Sequence, residues 1–149
     1  MRKFRFRLQS LENIKGLELD ALKQALAAAQ AAVRKAEEAL LATRDALNDA
    51  YNELAALRHA GRTDSTILLS LESYAGLLRD QLRAQAQRVV TLRRDMEAAR
   101  AQLVAKHQEK KVLEKYHERQ FERYSHKVET ENQKELDETA SNVYQQKQP

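Results

Sequence analysis

One spacing in the sequence could serve a metal. In Glu114-Lys115-Tyr116-His117 a carboxylate and an imidazole stand three residues apart, which on a helix brings them to one face. Carboxylate-bridged di-iron proteins use that pair twice, with two further carboxylates, inside a four-helix core. A second Glu-x-x-His does not occur, so no metal or other cofactor is expected. His59, His107 and His126 lie apart and read as surface residues. No glycine-rich loop offers backbone amides to a phosphate, and no nucleophile sits in a recognisable catalytic setting. The chain is therefore expected not to be an enzyme.

The composition explains why a pocket is improbable. The single Pro is the last of 149 residues, Gly occurs three times, Trp and Cys are absent, and 32% of residues are charged. Ala, Leu, Glu, Lys, Arg and Gln dominate, the usage of long helices. Two such helices bury a narrow seam, not a thick core. The net charge of +4 comes from 26 basic and 22 acidic residues, a mixed surface. Arg2, Lys3, Arg5 and Arg7 crowd the start, with no acid before Glu12; a solvated helix start is the plainer reading than a nucleic-acid or membrane arm. No run approaches the roughly 18–20 apolar residues that span a bilayer, and no secretory signal is read. A cytoplasmic protein, at most peripheral to a membrane, is expected.

The elements follow from spacing. Leu19, Leu22, Leu26, Ala29, Val33, Ala36, Leu40, Thr43, Leu47, Ala50, Leu54 and Leu57 form an unbroken 3-4 repeat, the a and d seam of a coiled coil. His59 to Thr66 interrupts it: Gly61 suits a left-handed cap, and Asp64 or Ser65 can start a new helix. A second seam runs through Leu68, Leu71, Ala75, Leu78, Leu82, Gln85, Val89, Leu92, Met96, Ala99, Leu103 and Lys106. Folding at the loop pairs the two in one register: Leu57 with Leu68, Ala50 with Ala75, Thr43 with Leu82, Leu40 with Gln85, Leu22 with Leu103. The fold class is thus all-α, a long antiparallel two-helix coiled coil (an α-hairpin) with the second helix overhanging. A single domain is expected, with helices at 5–59 and 66–140, a loop at 60–65 and a frayed tail at 141–149. At 1.5 Å per residue the helices would run roughly 80 and 110 Å, a rod closed at its tip and open at its base.

At the base the pattern predicts a break. Continued, the register opposes Lys15 to Lys110, so the apolar marks are read as shifting to Leu8, Leu11 and Ile14. The fold-back brings Phe4 and Phe6 near Tyr116, Phe121 and Tyr124, as an aromatic plug, an exposed anchor for a partner, or both. Near the tip, Tyr51 and Tyr74 flank the seam beside Leu77; contact site and flank packing remain equal readings.

The two ends carry a resemblance that periodicity does not. Met1-Arg-Lys-Phe-Arg-Phe-Arg-Leu-Gln-Ser-Leu11 resembles the opening of the bacterial flagellar FliJ family. Glu109-Lys-Lys-Val-Leu-Glu-Lys-Tyr-His-Glu-Arg119 and Gln133-Lys-Glu-Leu-Asp-Glu-Thr-Ala140 are similar to that family's C-terminal signature. The resemblance implies a component of the flagellar type III export apparatus, similar to the central stalk of rotary ATPases. Its implied partners are the hexameric export ATPase, whose ring assembly it promotes, the cytoplasmic domain of the export gate, and export chaperones. The implied location is the cytoplasmic face of the flagellar basal body. The implied ring-associated end comprises Phe4, Phe6, Leu8, Leu11, Leu113, Tyr116, Phe121, Leu136, Asp137 and Glu138, with Tyr124 joining through the fold-back. The family's other functional surface falls on Tyr51, Tyr74 and Leu78; the seam register buries Leu78, so Tyr51, Tyr74 and Leu77 are the expected exposed contacts. Alternatives are an injectisome stalk protein, a membrane-binding coiled coil and a nucleic-acid chaperone. The last is opposed by the acidic run Glu129, Glu131, Glu135, Asp137 and Glu138.

Overall fold

The computed structural model describes residues 3–61 and 64–146. Two helices account for nearly all of them: α1, Gln9–Ala60, and α2, Ser65–Gln146. They pack antiparallel as a coiled-coil hairpin, and no strand occurs among the described residues. By contacts the chain divides into two compact units, one of 1–19 with 105–149 and one of 20–104.

The helix boundaries differ from the periodicity for physical reasons. α1 starts at Gln9 and not near residue 5. Arg5 and Arg7 would place cations at the positive end of the helix dipole, whereas Glu12 sits favourably in the first turn. Leu8 accepts the first helical bond, from the Glu12 amide at 2.9 Å, and the Gln9 amide turns back to Phe6 at 3.3 Å. α1 ends at Ala60, followed by Gly61 in the left-handed region at φ 67°. Asp64 caps α2: its carboxylate accepts the Thr66 amide at 3.0 Å, and its carbonyl accepts Ile67 and Leu68. At the other end α2 continues through 141–146, which the sequence reading left as tail. No Gly or Pro interrupts it there. The tail's last three residues, the loop residues 62 and 63, and Arg2 lie outside the described residues.

Every seam position of 20–104 read from the sequence is buried or half-buried in the structure. The tightest packing lies toward the loop, where Leu47, Ala50, Leu54, Ala75 and Leu78 cluster with Ala46, Leu68, Leu71 and Leu82 against them. Ala50 opposite Ala75 lets the backbones approach, and the leucines on either side fill the layers above and below. Arg58 with Glu72 and Arg93 with Glu37 pair across the helices outside the seam. No described helix is long and apolar enough to cross a membrane.

Candidate partner-binding site

Residues 3–8 form a short strap that precedes α1, and two phenylalanines fix it to α2. Phe6 is 8% exposed. Its ring lies flat on the His117 imidazole, centroids 4.2 Å apart and planes 5° apart, and tilts against Tyr116 at 6.1 Å. Phe4, half-buried, stacks on the same imidazole at 5.7 Å, meets Phe121 edge-on at 5.3 Å and touches Tyr124 at 5.4 Å. The Nδ1 of His117 lies 3.1 Å from Glu12 Oε2. A carboxylate only accepts, so Nδ1 carries the hydrogen and donates it. One imidazole thus joins the strap, the first turn of α1 and α2.

This assigns His117 differently from its spacing. Glu114 pairs along its own helix with Lys110 at 3.5 Å, while His117 turns to Glu12 and the phenyl rings. Among the described residues no three His, Asp or Glu side chains converge as metal ligands do. Within the aromatic cluster Phe6 is covered, as a plug requires, whereas Phe121 stays 52% exposed and Tyr116 is exposed beside it.

The expected slip of the seam to Leu8, Leu11 and Ile14 is corrected. All three are exposed. The covered positions keep the 3-4 spacing through Glu12, Lys15 and Leu19 on α1, and through Lys106, Lys110, Leu113, His117, Gln120 and Tyr124 on α2. Long side chains make this possible, because their stems lie in the seam while their charges reach its edge. Lys15 avoids Lys110 by bonding Glu109 at 2.7 Å, with Glu18 at 3.7 Å; Lys106 shares Glu109 at 3.0 Å. The hydrogen bond to Glu109 raises the Lys15 pKa, and the bonds from Lys15 and Lys106 lower that of Glu109. Sequence reasoning missed Glu12, Glu109 and the clamp role of His117. The signal was present in the register, which sets Lys15 beside Glu109 once Lys110 is rejected as its partner.

Beyond the strap, every described side chain from 129 to 144 is exposed, including Leu136 at 65%, Asp137 and Glu138. An open groove of about 780 Å³ runs between the strap and α2, floored by Phe4 and Tyr124 and rimmed by Lys3, Arg5, Arg123 and Lys127. Among its described lining residues the one acid is Glu122, so the groove is net cationic. In the other unit, Tyr51 and Tyr74 are exposed beside Leu77 at 69%, while Leu78 is 7% exposed and belongs to the core. The burial of Leu78 that the seam register predicts is thus met.

The family model described as Flagellar FliJ protein matches residues 4–149, from the first aromatic of the strap to the last residue. The chain belongs to the flagellar FliJ family. Among solved structures, the fold is similar to that of a YscO homologue from Chlamydia trachomatis, with a TM-score of 0.69 and 18% identity. That likeness covers 98% of this chain and 100% of the other. No curated protein matches the sequence significantly. Membership in the FliJ family accounts for both ends at once: the match takes in the strap and the exposed end of α2 as well as the regular heptads between them.

Proposed function

We propose that this FliJ-family protein is a stalk of the flagellar type III export apparatus, acting in the cytoplasm at the base of the flagellum. It binds the hexameric export ATPase, promotes assembly of its ring, and couples it to the export gate and to export chaperones. The family match over residues 4–149 carries this reading. The strap end supplies the ATPase contact through Phe4, Phe121, Tyr116 and Tyr124, the cationic groove, and the exposed run with Leu136, Asp137 and Glu138. Leu8, Leu11 and Leu113 border that surface, and Phe6 holds it in shape. Tyr51, Tyr74 and Leu77 supply the second contact, to the gate. An aromatic cluster with charged surroundings is the composition of an interface centre. No residue of the chain performs chemistry; its effect is to bias ATPase subunits unequally.

The test is the turnover and oligomeric state of the purified export ATPase, alone and with this protein. Faster turnover and more hexamer are expected, and a Leu136→Ala, Asp137→Asn, Glu138→Gln variant should lose much of both effects. No change in either measurement would sink the proposal. The YscO likeness favours one second reading, an injectisome stalk. Flagellar or virulence-related neighbours of the gene decide between the two.

A further inference from the structure

The unit of 1–19 and 105–149 holds its helices together by different means from the unit of 20–104. In the latter, Val33, Leu47, Ala50, Leu54, Ala75, Leu78 and Val89 are buried. In the former, the covered positions facing each other are Glu12, Lys15 and Leu19 against Lys106, Lys110, Leu113 and His117. Among the described residues only Leu19 and Phe6 are buried there. Ion pairs open to water contribute far less than buried aliphatic side chains. The segment ahead of Leu19 is therefore attached at discrete points: Phe6 on His117 and Tyr116, Phe4 on His117, Phe121 and Tyr124, Glu12 on His117, and Lys15 on Glu109. Each attachment runs through side chains, and none needs α2 to change shape when it parts.

We propose that residues 3–18 form a latch: the strap and the first turns of α1 release from α2 and unwind together while residues 20–104 stay folded. Phe6 on His117 is the catch, and the Lys15–Glu109 ion pair is a second, ionic fastening. The closed latch covers Leu113, His117, Gln120 and Tyr124 on α2, and release uncovers them together. Access to that face of α2 is then set by the latch. The inference does not depend on the export reading, and its test uses no partner.

Native-state hydrogen exchange on the full-length protein, read peptide by peptide, tests it. Amides 13–18 should exchange roughly tenfold or more faster than amides 44–54, and as a block. Ordinary fraying fades within the first turn, so a gradient that has died away by Asn13 would overturn the proposal. Phe6→Ala should speed 13–18 further and leave 44–54 and 75–82 at wild-type rates. Glu109→Gln, which spares the aromatic clamp, should do the same more weakly, as should raising salt from about 0.05 to about 0.5 M. If Phe6→Ala speeds both segments equally, or if neither Glu109→Gln nor salt moves 13–18, there is no latch.

Discussion

Thr43, Gln85 and Lys15 occupy covered positions that a coiled coil ordinarily gives to apolar residues, and each settles its polar atoms differently. Thr43 donates its hydroxyl to the Ala39 carbonyl of its own helix at 3.0 Å and so costs the seam little. Gln85 leaves a buried side-chain oxygen without a partner. Replacing it by Leu removes that orphan and should stabilise the hairpin by about 1 kcal/mol, seen as a higher midpoint in a thermal melt followed by circular dichroism. Lys15 reaches out to Glu109, and the pair makes stability depend on pH at both extremes. Glu109 is held below its ordinary 4.5, so its contribution is present above that value and fades as pH falls through the lowered one. Lys15 is held above its ordinary 10.5, so its contribution is present below that value and fades as pH rises through the raised one. Melting midpoints measured against pH should therefore show a plateau between, and Glu109→Gln should flatten the acid limb. His117 shows the limit of reading residues by spacing. Its distance from Glu114 suggested a ligand pair, but its orientation is set by Phe4, Phe6 and Glu12, all more than a hundred positions earlier.

At the scale of the element, the heptads of 19–57 and 68–106 were legible because each layer has a partner whose size agrees with it. Two helices that predict each other leave little freedom in register. The helix starts were less legible, since apolar spacing says nothing about where a dipole will tolerate Arg5 and Arg7. Two substitutions check the layer assignment. Leu54→Ala, in the cluster with Leu47 and Ala75, should cost about 2–4 kcal/mol, while the exposed Leu77→Ala should change stability by less than about 0.5 kcal/mol. Equal losses in urea titrations would mean that the register is wrong. Gly61 tests the turn. A side chain at φ 67° is strained even though open space surrounds it, so Gly61→Ala should cost about 1 kcal/mol, read from the same titrations.

For the whole molecule, the sequence singled out two ends as candidate contact regions, but did not show how either is built. Leu8, Leu11 and Ile14 looked like a displaced seam because apolar residues were expected to be covered. The structure covers Lys15 and Glu12 instead and leaves the leucines to solvent. Removing residues 129–149 should leave the melting midpoint of the hairpin nearly unchanged, because no described side chain from 129 to 144 is covered. The same truncation should abolish the stimulation of the export ATPase that we propose. A large drop in the midpoint would mean that the segment folds back on the hairpin. Its helix rests on local forces alone, which for an isolated helix in water are marginal and decline with warming. In a calorimeter, a partner that grips this stretch as helix should therefore release more heat at higher temperature, since more of the helix must be formed at the moment of contact. Binding there would carry its own thermometer.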